Sequence, residues 1–205
     1  LEFHSFIYVF VFLPVVALAF HLLKHTRLKS FLLTAASVVF YAYNVLWYVV
    51  PMFISSILDY FIGEKLKEED DERRRKRLLL ISVVGNLGLL SFFKYTNWIT
   101  GVWADIAAGL GIASAIGATH IPLPPGISFY TFQTMSYTID IYKREFRPQG
   151  TIWDYFAFVS YFPQLVAGPI ERAKDLLPQI AGPATMPPAS AWASGIFLIL
   201  YGLFV

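Results

Sequence analysis

The chain has 205 residues, 57% hydrophobic, 18% aromatic and 15% charged, with a mean hydropathy of +0.57 and a formal net charge of +2. It is too apolar for an ordinary water-soluble domain and reads as an integral membrane chain, and so small a charge bears on orientation in a bilayer rather than on nucleic acid. The absence of cysteine excludes a disulfide framework, a thiolate nucleophile and a Cys-ligated metal.

The first apolar stretch, Phe6 to Leu23, lacks the basic leader and small-residue cleavage site of a signal peptide and reads as a retained membrane helix. It closes on Lys24, His25, Arg27 and Lys29, and the next basic cluster is Arg73 to Arg77. The excess of Lys and Arg in short cytoplasmic loops places both clusters inside, so two crossings lie between them. Leu28 to Asn44 and Trp47 to Gly63 supply these as short helices, with Pro51 in a first turn, where its missing N–H is tolerated. Trp47 and Tyr48 suit the outer interface.

Glu64 to Arg77 begins acidic and ends basic. It reads as a solvated cytoplasmic connector whose mixed signs weaken attraction to anionic headgroups. Leu78 to Trp98 is the clearest span, about 31 Å at ~1.5 Å per residue, with Lys94 snorkelling near its outer end. Thr100 to His120 carries four glycines and one charge, Asp105, which predicts an interfacial or re-entrant piece of diluted helical propensity.

Two segments set backbone breakers and polar groups in this lipid-like sequence. They are Pro122-Leu-Pro-Pro-Gly-Ile-Ser-Phe-Tyr-Thr-Phe-Gln133 and Tyr161-Phe-Pro-Gln-Leu-Val-Ala-Gly-Pro-Ile170. Such interruptions are tolerated only where protein or a water-filled cavity covers them. From Ile127 a helix is expected, and Tyr130, Gln133, Tyr137 and Asp140 share one of its faces. The polar stripe fits either the lining of a tunnel or polar bonding between neighbouring helices. For Asp140 the spacing favours an i,i+4 pair with Arg144 over catalysis. Thr151 followed by Asp154 is a cap signal for a helix that Pro163 stops too soon to cross. Carbonyls freed between Pro163 and Pro169 need partners such as Gln164 or Arg172. The closing apolar run, Ile196 to Val205, is shorter than a span and predicts that the chain is the N-terminal part of a longer protein.

No phosphate loop, dinucleotide glycine pattern or His-Glu-x-x-His site occurs. His21 and His25 are four apart but lack a third ligand, and no metal site is assigned.

The run Pro124-Pro-Gly-Ile-Ser-Phe-Tyr-Thr-Phe-Gln133 through Ser136-Tyr-Thr-Ile-Asp-Ile-Tyr142, with Phe162-Pro-Gln-Leu-Val-Ala-Gly-Pro-Ile170 and Arg172, resembles the membrane-bound O-acyltransferase family. The similarity is to its alginate O-acetyltransferase-like branch. Asn86-Leu-Gly-Leu-Leu-Ser-Phe-Phe-Lys-Tyr95 and the opening Phe3-His-Ser-Phe6 with Phe12-Leu-Pro14 resemble that branch's N-terminal region. The resemblance implies an all-α polytopic transmembrane protein with short, tilted and re-entrant helices, residues 1–205 being the N-terminal half of one membrane domain with a charged connector at about 64–77. It implies acyl transfer, usually of acetyl, from a cytoplasmic thioester such as acetyl-CoA to an extracytoplasmic polysaccharide or relay protein. The lipid bilayer and extracytoplasmic relay or polysaccharide-modifying proteins are the implied partners, and a bacterial cytoplasmic membrane the implied location, with no bound cofactor.

The family's essential histidine lies in a Trp-His pair of its C-terminal half. No Trp-His pair occurs in this sequence, so no catalytic residue is carried onto it. Ser128, Tyr130, Gln133, Tyr137 and Gln164 are the expected wall or orienting groups, and Arg172 an expected electrostatic contact to the donor. The competing class is a non-enzymatic scaffold or export component, in which the stripe only joins helices. A transporter is disfavoured, because no inverted repeat is visible.

Overall fold

A computed structural model describes residues 5–23, 25–43, 45–111, 119–148, 150–165, 171–182 and 187–204. Among these residues the regular structure is helical throughout. A π-helical stretch at Tyr8–Phe12 runs into α1, Leu13–Leu22; the wider turn directly precedes Pro14, whose ring crowds the carbonyl four residues earlier. The next two helices are α2, Thr26–Ala42, and α3, Val49–Glu68, the latter entered through a 3-10 turn at Leu46–Tyr48. Both helices form where the sequence predicts them. Pro51 lies in the first turn of α3, and the Trp47 ring lies tilted against that of Tyr48, 4.9 Å between centroids.

α4 runs from Glu72 to Gly109, 38 residues in one helix. Here the structure corrects the sequence reading, which ended the span at Trp98 and set the following residues apart as an interfacial or re-entrant piece. No proline interrupts the stretch, and Thr100 bonds back to the Thr96 carbonyl at 2.9 Å, so the helix continues through the glycines. It ends where Gly111 adopts a left-handed φ of 66°, the stop that a residue without a Cβ makes inexpensive. At ~1.5 Å per residue α4 is about 57 Å long, well beyond the ~30 Å hydrocarbon core. Leu46–Glu68 and α4 are long and apolar enough to cross a bilayer. Their outward side chains are large and apolar, as in Ile54, Phe61, Ile81, Val84 and Phe92.

α5, Ile127–Tyr142, is the hub of the bundle, packing on α3, α4, α6 and α8. It starts at Gly126, whose φ of 73° turns the chain sharply out of Pro124-Pro125. α6, Ile152–Ser160, is capped as the sequence predicts: the Thr151 N–H and hydroxyl both donate to Asp154 Oδ2, at 2.5 and 2.8 Å. A single-turn α7, Phe162–Leu165, follows, then α8, Ala173–Ala181, and the outlying α9, Ala189–Phe204. The main core gathers Met52, Leu66, Tyr130, Tyr137, Tyr155 and Phe158. A smaller aromatic cluster of Tyr8, Phe12, Phe40 and Phe162 seats α7 against α1 and α2, with the Phe12 and Phe162 rings edge to face at 5.2 Å.

The basic clusters meet at one end of the bundle. Ser30, one turn into α2, donates to Asp154 at the start of α6. Arg144, just past α5, pairs with Glu72 at the start of α4 at 3.0 Å. A shared end for Arg27 and Lys29 and for Arg73 to Arg77 is what the cytoplasmic loop rule predicts.

Candidate functional site

The stripe predicted on α5 is buried along its length: Tyr130 and Tyr137 are 0% and 1% exposed, Gln133 and Asp140 3% each. Each member has a distinct environment. The Gln133 amide donates to the Phe158 carbonyl at 3.0 Å and so joins α5 to α6. The Tyr137 ring lies 4.7 Å from that of Tyr155 and fills the space over Gly63. A Cβ at Gly63 would stand 2.8 Å from the Tyr137 hydroxyl oxygen, so the missing side chain on α3 is what admits the ring. The Tyr130 hydroxyl lies beside that of Tyr41 but makes no hydrogen bond of ordinary geometry among the described residues; Tyr41 donates instead to the Pro125 carbonyl at 2.6 Å.

Asp140 does not pair with Arg144 as the i,i+4 spacing predicts. α5 ends at Tyr142 and Arg144 takes a left-handed φ of 62°, which carries its side chain off the helix toward Glu72. The cation facing Asp140 is Arg172, 3.9 Å from Oδ1 and 4.0 Å from Glu145. Arg172 is half exposed and held between two carboxylates at the basic end. Ser128 is half-buried on the opposite side of α5 from the stripe. Gln164 is half-buried on α7, with its amide nitrogen enclosed and without a hydrogen bond among the described residues. The fold therefore brings Tyr130, Gln133 and Tyr137 onto one face with Arg172 near its end, with Ser128 on the opposite side of α5 and Gln164 on α7. Val166 to Ile170 of the second breaker segment lie outside the described residues, as does His4.

Two features escaped the sequence reading. The first is a buried polar network among α3, α4 and α5. Asp59, fully buried, accepts from the Ser82 hydroxyl and the Asn86 amide, each at 2.6 Å. Ser55 donates to Asn86 Oδ1 at 2.5 Å, and Ser82 and Thr138 share a hydroxyl contact of 2.9 Å. Thr134 lies 3.2 Å from Ser55. Each helix contributes two of these side chains four residues apart: Ser55 and Asp59, Ser82 and Asn86, Thr134 and Thr138. That spacing was present in the sequence as a signal of one helical face.

The second is Arg75, which the charged connector hides. The sequence reading takes the whole run Glu64 to Arg77 as solvated, yet Arg75 is 3% exposed. Its guanidinium donates to the carbonyls of Leu66 and Glu69 at 2.6 and 2.9 Å, and of Ile141 and Tyr142 at 3.0 and 2.8 Å. One cation thus closes the C-terminal ends of both α3 and α5, where unpaired carbonyls and the helix dipoles favour positive charge.

Chemically, the described residues offer enclosure and orientation. His21 is half-buried against the Trp192 ring, 5.7 Å away, while His25 and His120 are exposed.

Comparison with known proteins agrees with this picture. The chain is 37% identical over 178 residues to a Pseudomonas aeruginosa protein named "Probable alginate O-acetylase AlgI", covering 86% of this chain and 34% of that protein. The Azotobacter vinelandii protein of the same name is 35% identical, with 86% and 35% covered. A Helicobacter pylori peptidoglycan O-acetyltransferase is 29% identical, with 87% of this chain and 38% of that protein aligned. The chain spans about a third of the length of these relatives, rather than the half expected from its sequence. No protein-family model matches it, and no solved structure does. These relatives bear out the resemblance to the alginate O-acetyltransferase-like branch of the membrane-bound O-acyltransferases.

Proposed function

We propose that this chain is part of a membrane O-acetyltransferase, which moves an acetyl group from a cytoplasmic thioester such as acetyl-CoA to a hydroxyl of an extracytoplasmic polysaccharide or relay protein. The reading places the protein in a bacterial cytoplasmic membrane. The observation that carries it is the 35% to 37% identity, over 86% of the chain, to proteins named as alginate O-acetylases.

In such a transfer the acceptor oxygen attacks the thioester carbonyl carbon, a base takes the hydroxyl proton, and the thiolate leaves. A general base contributes roughly 10²- to 10⁴-fold, and in this account that base lies in a part of the enzyme outside this chain. The chain's own contribution is to shape and orient. Tyr130 and Gln164 are the best candidates to touch substrate, because each holds an enclosed polar atom that makes no hydrogen bond among the described residues, and such an atom gains most from a ligand. Gln133 and Tyr137 act one step back, by fixing α5 against α6 and α3.

The test uses the complete protein reconstituted in vesicles with labelled acetyl donor and polysaccharide acceptor. Tyr130→Phe and Gln164→Leu should lower turnover while leaving membrane insertion intact. Unchanged turnover removes both from the site, and failure of the unaltered protein to acetylate any hydroxyl acceptor rejects the reading.

A further inference from the structure

We propose that the groove between α3 and α4 binds an anionic phospholipid, with an acyl chain along its apolar floor and the headgroup phosphate between Lys65 and Arg77. The groove holds about 510 Å³ and is lined by Ile54, Ile57, Leu58, Phe61, Leu78 and Ile81, ending at Lys65. A second cleft of about 440 Å³ starts from the same Lys65 and Leu78 and is lined also by Arg74, Arg77, Glu68 and Glu69, three cations against two carboxylates. An apolar trough therefore opens directly into a basic one. Gly85 sets its depth: a Cβ there would fall 2.7 Å from Leu58 Cδ2, so the bare backbone lets α4 approach α3 along the floor.

The mixed charges of the connector sort themselves in space. Arg74 takes Glu69 and Asp71, at 3.6 and 3.7 Å. Lys67 takes Glu64 at 3.7 Å, and Arg75 and Arg144 share Glu72 at 3.8 and 3.0 Å. Lys65, which lines both the apolar groove and the charged cleft, and Arg77, which lines the cleft, have no ion-pair partner among the described residues. Basic pockets between membrane helices bind anionic headgroups, each cation being worth roughly a fivefold preference. Lipid tails already sit in hydrocarbon, so the groove supplies shape and the two cations supply the selectivity. This binding is independent of the proposed acyl transfer.

The test titrates the purified chain in detergent with phosphatidylglycerol and phosphatidylcholine of identical acyl chains, counting bound lipid by native mass spectrometry. Phosphatidylglycerol should be preferred about twenty-five-fold. Lys65→Gln combined with Arg77→Gln should abolish that preference, and Lys143→Gln, at the same end but off the groove, should leave it. Ile57→Trp, which fills the groove and spares both cations, should weaken both lipids. Equal retention of the two lipids by the unaltered chain, an equal loss in Lys143→Gln, or a preference that survives the double substitution overturns the proposal. So does displacement of the lipid by glycerol phosphate at equal concentration, which would mean a site for the anion alone.

Discussion

Replacing Arg75 with Met removes the single cation that closes two helix ends while keeping an unbranched apolar stem in place. Four charge-assisted bonds are lost, and two of them, to Leu66 and Ile141, are fully buried. Hydrogen bonds to charged groups are worth about 1.5 to 3 kcal/mol each. The two buried bonds alone therefore predict a loss of about 3 to 6 kcal/mol, and the carbonyls of Glu69 and Tyr142, nearer solvent, add less because water replaces the guanidinium there. Removing the positive charge from two C-terminal dipoles acts in the same direction. Arg75→Lys should recover only part of the loss, since an ammonium cannot span four carbonyls in the planar fork of a guanidinium. The assay is reversible unfolding in mixed micelles of increasing SDS fraction, followed by circular dichroism. A loss below about 1 kcal/mol for Arg75→Met, or full recovery with Lys, would refute the clamp, since even one such bond exceeds that value.

Other consequences follow from the same packing. Gly63→Ala should drive the Tyr137 ring out of its seat and cost about 1 to 3 kcal/mol by overpacking in the same micelle titration, whereas Gly88→Ala, with open space around it, should be neutral or slightly stabilising. Asp59→Ala takes one acceptor from the Ser82 hydroxyl, which keeps Thr138, and one from the Asn86 amide, which keeps the Ser82 carbonyl, and should destabilise by about 1 to 3 kcal/mol; Asp59→Asn, which keeps one acceptor oxygen, should cost less. Asp154→Ala removes the α6 cap together with the Ser30 bond, so its effect should exceed the ~1 kcal/mol usual for a cap alone. A loss equal to that of Thr151→Ala would show that the Ser30 contact contributes nothing.

The helices α2 to α4, the polar face of α5, the capped short α6 and the helix stop before Pro163 are legible because each rests on local rules: apolar run length, a three-and-four spacing, a cap pair, a proline. A separate interfacial or re-entrant piece is expected from Thr100, where glycines dilute propensity, yet with no proline to stop it α4 runs on to Gly109. Asp140 was matched to the wrong partner because the pairing rule assumes that the helix reaches Arg144, and it stops at Tyr142. Arg75 sits in a run of five basic residues whose sequence gives no reason to single it out; its burial depends on α5 ending opposite it. The Asp59 network lay in plain spacing on three helices, but which faces meet is a property of packing.

The most direct test of the account measures acetyl transfer from labelled acetyl-CoA in vesicles that hold either the complete protein or these 205 residues alone, with the polysaccharide acceptor outside. The account predicts transfer by the complete protein and none above background by the 205-residue chain, because the chain supplies enclosure and orientation without the base. Transfer by the isolated chain at a comparable rate, or none by the complete protein, would contradict it.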